Sequence, residues 1–128
     1  MTDASAAPRW RILIVEDSDD DAELVSIELA EAGMHADCRR VDNEAALLQA
    51  LQSFAPQLVL SDCNLPGFSG QRAMELVRAH APLVPFAFLS GVDDHGDPAL
   101  QATPAADAWL LKDDLAQLPA LVRRLLIG

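Results

Sequence analysis

Five short apolar runs punctuate the chain, separated by stretches in which the apolar residues recur at helical spacing. The first run is Arg11 to Val15, and the acidic stretch Glu16 to Asp21 follows it immediately. From Ala22 to Ala32 the period lengthens. Ala22, Val25, Leu29 and Ala32 fall on one helical face, and Gly33 supplies a C-terminal cap. His35 to Val41 is a weaker, more polar strand, the composition of a sheet edge that must not pair with another chain. Asp42 or Asn43 then caps a helix with Leu47, Leu48, Leu51 and Phe54 as its buried stripe, and Pro56 closes that segment. Leu58-Val59-Leu60, the third run, shows no alternation, which suits a strand buried on both faces of a parallel sheet. Asp62 stands where that strand gives way to a loop punctuated by Leu65-Pro66-Gly67 and Ser69-Gly70.

Gln71 to His80 predicts a helix burying Ala73, Leu76 and Val77. Pro85 to Leu89 is the fourth run, closed by Ser90-Gly91, and Ala108 to Leu111 is the fifth, closed by Lys112. The last helix, Asp114 to Ile127, places Leu115, Leu118, Val122 and Leu125 on one face, with Pro119 set to delay or bend it. Between the last two runs, Asp93 to Pro98 reads as loop. Asp97 as cap and Pro98 at the first helical position start a helix of about one and a half to two turns, stopped at Thr103-Pro104. Five strands alternating with five helices specify a doubly wound parallel α/β sheet with helices on both faces. Right-handed crossovers leave only a few strand orders.

A length of 128 residues predicts one domain with a proper core. Residues 1–9 lack the basic start and apolar centre of a signal peptide and read as a short disordered leader, with the domain spanning 10–128. No stretch reaches the ~20 apolar residues that cross a bilayer, so a cytoplasmic location is expected. The formal charge of −11 argues against nucleic acid and anionic lipid as partners. Arg39-Arg40 and Arg123-Arg124 are isolated pairs, read as solvated residues. Cys38 and Cys63 lack metal-type spacing, and Cys63 reads as a small half-buried loop side chain.

Four strand ends carry reactive groups: Glu16-Asp17, Asp62, Ser90 and Lys112. Each has a bland explanation. Asp62 could cap a turn, the first acids could serve a helix dipole, Ser90 could form a turn and Lys112 could sit in water. In a parallel sheet, however, all four ends open on one edge, where ligands bind. Glu16, Asp17 and Asp62 gathered there repel one another. Lys112 offsets one charge and a hard divalent cation offsets two, and carboxylates are ligands Mg²⁺ prefers. A nucleotide phosphate would instead need Gly, Ser and Thr after the first strand. Carboxylate, Mg²⁺, hydroxyl and ammonium together suit attack of an aspartate on phosphorus to give an acyl phosphate.

This set resembles the receiver domains of two-component response regulators over roughly Trp10 to Ile127. The matching pieces are Ile-Leu-Ile-Val-Glu16-Asp17, Asp62-Cys-Asn-Leu-Pro66-Gly, Phe-Leu-Ser90-Gly91 and Trp109-Leu-Leu-Lys112. The resemblance implies a flavodoxin-like five-stranded sheet in order 2-1-3-4-5. It makes Asp62 the phosphoacceptor and Asp17 a direct Mg²⁺ ligand, with Glu16 reaching the metal through water and the Asn64 main-chain carbonyl a further ligand. Ser90 becomes the switch hydroxyl, Lys112 the phosphate-binding cation and Trp109 the switch aromatic. The implied partners are a sensor histidine kinase or histidine phosphotransfer protein and a downstream protein target, with homodimerisation open. No enzymatic turnover is expected beyond phosphorylation of Asp62 and slow loss of that phosphate.

The chain departs from the family pattern at two points. Asp113 follows the lysine where the family has Pro, so no cis bond is expected there, and Trp109 replaces Tyr or Phe. With the last helix ending the chain, a stand-alone regulator or a hybrid-kinase receiver module is expected. Two other classes compete. A Mg²⁺-dependent aspartyl-phosphate phosphatase would need a second acid two residues after the nucleophile, where Asn64 cannot transfer a proton. A constitutive docking platform would leave the acid pocket idle.

Overall fold

The computed structural model describes residues 10–62, 64–65, 68–90 and 106–127. Five parallel strands, β1 (Trp10–Val15), β2 (Ala36–Val41), β3 (Leu58–Asp62), β4 (Phe86–Ser90) and β5 (Ala108–Leu111), form one sheet. Their order is β2-β1-β3-β4-β5, the predicted flavodoxin-like arrangement. Val15 pairs with Ser61, Asp62 with Leu89, and Ser90 with Leu111. Parallel strands in this register all end on one edge.

The unalternating runs follow from coverage of both faces. Ile12, Ile14, Leu58, Leu60, Ala87 and Leu89 pack with α1 (Asp19–Glu31) and the C-terminal helix α4 (Leu118–Leu126). Leu13, Val15, Val59, Phe86 and Phe88 pack with α2 (Glu44–Ser53) and α3 (Gly70–His80). The weak strand is the edge strand β2, as its polarity predicts.

Helix boundaries depart from the periodic pattern for local reasons. α1 begins three residues before Ala22 because Ser18 Oγ accepts the Asp21 N–H at 3.2 Å. This cap draws Asp19, Asp20 and Asp21 into the first turn, where negative charge is favoured. Ala32 is the half-buried C-cap, and Gly33 takes φ +79°, open to glycine without strain. Asn43, not Asp42, caps α2, its Oδ1 accepting from Ala46 N at 2.8 Å. The buried face of α2 is Leu47 and Ala50, followed by Phe54, while Leu48 and Leu51 are half-buried flanks. α3 starts at Gly70, capped by Ser69 Oγ, and buries Met74 besides the three expected residues.

The last helix is divided. Lys112–Gln117 is a 3₁₀ segment, and the α-helix starts only at Leu118, with Pro119 in its first turn where a missing N–H costs nothing. Leu118 and Val122 are buried, whereas Leu115 and Leu125 are half-buried. An unanticipated antiparallel ladder pairs Asn64–Leu65 with Phe68–Ser69. All described peptide bonds are trans. The expected leader, Cys63, Pro66-Gly67, and the loop and short helix expected between Asp93 and Pro104 lie outside the described residues.

Candidate functional site

The C-terminal edge of the sheet gathers the predicted acids. The Glu16 N–H extends the β1–β2 pairing by donating to the Val41 carbonyl at 2.9 Å, so the acid pair leaves the sheet in a fixed direction. Asp62 is the last residue of β3, buried throughout its length. One carboxylate oxygen from each of Glu16, Asp17 and Asp62 falls within a 4.8 Å span. Glu16 and Asp62 are buried, at 3% and 8% exposure, whereas Asp17 is exposed.

Lys112 enters from the end of β5. Its Nζ donates to Glu16 Oε1 at 2.8 Å and to Asp21 Oδ2 at 2.9 Å, and lies 3.6 Å from Asp62 Oδ2. The other Glu16 oxygen accepts from Ser18 N at 3.2 Å. Burial pushes the Glu16 carboxyl up, the Lys112 hydrogen bond pulls it back, and the charge of Asp62 raises it further, leaving it at about 7. Burial works against the Lys112 ammonium, but its hydrogen bonds to Glu16 and Asp21 and the fields of Asp62 and Glu16 outweigh that and raise its pKa. The ammonium therefore stays charged.

Two participants carry no local motif in the sequence. Asp21 holds Lys112 from the first turn of α1. Arg40, expected to be a solvated strand-end residue, instead reaches back to the acid loop. It donates to the Glu16 main-chain carbonyl at 3.0 Å, with Nε 2.6 Å from Asp19 Oδ1, and also meets Asp42 at 3.5 Å. The Ser18 cap was the available signal for Asp21, but periodicity cannot choose among Asp19, Asp20 and Asp21. Arg40 left no signal beyond its charge.

Ser90 ends β4 beside Asp62's strand and is 1% exposed, and its Oγ has no hydrogen-bond partner among the described residues. Asn64 opens the short ladder opposite Ser69, two residues beyond Asp62. Trp109 is partly exposed on β5, its ring 4.9 Å from that of Phe88 at a 42° tilt. The structure thus brings Glu16, Asp17, Asp62 and Lys112 into one cluster and puts Ser90 at the same edge. Trp109 stands three residues upstream of Lys112.

An oxygen-only donor set of three carboxylates, two of them buried, fits a hard divalent cation. The Lys112 ammonium meets Glu16, Asp21 and Asp62, and Asp17 adds a further carboxylate beside Glu16 and Asp62, so acids outnumber the cation in the cluster. The pattern can stabilise a cation and, with it, an incoming phosphoryl group.

Residues 12–123 match the family model of the response regulator receiver domain. The DNA-binding response regulator MtrA of Mycolicibacterium smegmatis is 33% identical over 104 residues, covering 81% of this chain and 44% of MtrA. The chain spans less than half the length of the curated relatives it matches. The signal receiver domain of a signal transduction histidine kinase from Syntrophus aciditrophicus superposes with a TM-score of 0.76 at 27% identity, covering 91% of this chain and 89% of that one. The receiver domain of the sensor histidine kinase PA1611 of Pseudomonas aeruginosa, solved with magnesium in its active-site cleft, gives a TM-score of 0.78 at 24% identity. That match covers 94% of this chain and all of that one.

Proposed function

The chain belongs to the response regulator receiver domain family, and on that premise we propose that it is a phosphoacceptor of a two-component phosphorelay with Asp62 as the phosphorylated residue. The observation that carries this reading is the convergence of Glu16, Asp17 and Asp62 within a 4.8 Å span beside the Lys112 ammonium. The phosphodonor is a phosphohistidine of a sensor kinase or phosphotransfer protein. An Asp62 carboxylate oxygen attacks phosphorus, the N–P bond breaks, and the imidazole leaves and takes a proton from solvent. Glu16, Asp17, Asp62 and the Asn64 carbonyl are the residues that would hold Mg²⁺. When bound, it supplies the positive charge that this acid-rich edge needs to accept a phosphoryl group.

Lys112 stays protonated and pairs with a phosphoryl oxygen. Ser90 has a buried hydroxyl ready to donate to another, and that new bond makes phosphorylation a population shift in the β4 exit. Trp109, lying against Phe88, is the aromatic that follows the shift. The domain's own chemistry is confined to phosphorylation of Asp62 and slow hydrolysis of the acyl phosphate. Its output is a changed protein–protein contact in the cytoplasm, whether it works alone or within a larger kinase. Incubation with acetyl phosphate and Mg²⁺, followed by intact mass, should add one phosphoryl group to the wild type and none to Asp62→Asn. An unchanged wild-type mass, or equal labelling of the variant, overturns the assignment.

A further inference from the structure

The Lys112 ammonium has three N–H groups, and two are spent on Glu16 at 2.8 Å and Asp21 at 2.9 Å. Its 3.6 Å distance from Asp62 Oδ2 is too long for a charge-assisted hydrogen bond. The ammonium thus hydrogen-bonds to Glu16 and to α1, and meets Asp62 only as a looser ion pair. Glu16 alone would not keep it there, because a flexible four-carbon stem lets Nζ swing to the next acceptor. We propose that Asp21 is a positioning residue that restrains Lys112 from closing onto Asp62 Oδ2 and so limits the competition of the ammonium with a divalent cation for that oxygen. This inference rests on the metal-site reading above and adds to it a residue outside the acidic trio.

The anchor is rigid for a local reason. Asp21 N is held by the Ser18 cap at 3.2 Å, and the next residue, Ala22, is buried under the sheet. α1 contributes none of the three clustered carboxylates, so the restraint comes from a separate element. Through-space repulsion is a weaker explanation: the Asp21 side chain is 41% exposed, and solvent screens its field at the cluster. Its contact with Lys112 is direct. Without that contact Nζ keeps Glu16 at 2.8 Å and can close the remaining 3.6 Å gap to Asp62 Oδ2, and the resulting hydrogen bond competes with a cation for that oxygen.

Mg²⁺ titration by calorimetry, on the full chain at fixed ionic strength, separates contact from charge. Asp20 adjoins Asp21 in the same turn and is exposed, so Asp20→Asn removes the same charge without touching Lys112. Asp21→Asn should raise the Mg²⁺ Kd about fivefold, the scale of one newly formed ion pair, and Asp20→Asn less than about twofold. In a Lys112→Ala background the Asp21→Asn effect should fall to that of Asp20→Asn. Asp21→Glu should restore affinity, since Asp21 borders a cleft of about 230 Å³ with room for another methylene. Equal effects of Asp20→Asn and Asp21→Asn, or an Asp21→Asn effect that survives loss of Lys112, overturn this inference and leave the metal site standing. A wild type that binds no Mg²⁺ overturns both.

Discussion

Glu16→Gln should make the metal-free protein more stable above neutral pH while weakening its response to Mg²⁺. Glu16 is 3% exposed, and its carboxyl is shifted from 4.5 to about 7, chiefly by burial. A folded-state pKa above the unfolded value means that the native state holds the extra proton. Stability conferred by the protonated form is complete below pH 4.5 and is lost as pH climbs to about 7. That interval corresponds to roughly 3 kcal/mol at 1.4 kcal/mol per pH unit. Glutamine imitates the protonated carboxyl and never ionises, so it escapes the loss. Its weaker acceptor for Lys112 takes back part of the gain, leaving about 1–2 kcal/mol in the variant's favour at pH 8. Urea denaturation of both proteins in chelator at pH 5 and pH 8 measures this. The stability difference should be small at pH 5 and should open toward pH 8. Mg²⁺ at ten times its Kd should return about 1.4 kcal/mol to the wild type and less to the variant. A difference that does not change with pH, or a wild type more stable than the variant at pH 8, would refute the burial argument.

Phe88→Ala should cost about 3–5 kcal/mol in urea denaturation, since the side chain is fully buried between Phe86 at 5.0 Å and Trp109 at 4.9 Å. A loss below about 1 kcal/mol would show that the site can collapse around the cavity. Asn43→Ala should cost about 1 kcal/mol by removing the α2 cap. Asp42→Ala should cost less by the same measurement, because Asp42 accepts from the Asn43 amide and from Arg40 at 3.5 Å, an exposed ion pair, and caps no helix N–H.

Short-range pattern carries the architecture of this chain. Runs such as Ile12–Val15 and Leu58–Leu60 have only one stable home, a strand covered on both sides, and their spacing then leaves little choice of topology. The same logic carries Glu16, Asp17, Asp62, Ser90 and Lys112 to one edge, because strand ends are set by topology rather than by side-chain preference. Finer detail escapes the pattern where tertiary geometry overrides period. On α2, Leu48 and Leu51 fit a helical stripe as well as Ala50 does, but the fold turns Ala50 into the core and leaves the two leucines half-buried at its margin. Pro119 announces a disturbed helix without revealing that its first turns are 3₁₀. Asp21 and Arg40 act through partners 91 and 24 residues away, a relation no local window contains.

Those two residues explain why the edge can tolerate its charge. Arg40 fixes the backbone of the acid loop through the Glu16 carbonyl and spends its remaining charge on Asp19 and Asp42, outside the trio. Lys112 divides its hydrogen bonds between Glu16 and Asp21 rather than closing on Asp62. An ordinary structural ion network would be matched charge for charge, since an uncompensated buried carboxylate is destabilising. Here Lys112, shared among Glu16, Asp21 and Asp62, is one cation against the trio's three carboxylates, and Arg40 spends its charge outside the trio. A docking platform with an idle pocket has no use for that imbalance, and replacing Glu16 by an uncharged residue would only improve it. On the function proposed above, the excess of acid has a use: it would draw a divalent cation to the edge, and that cation would offset the charge of an incoming phosphoryl group.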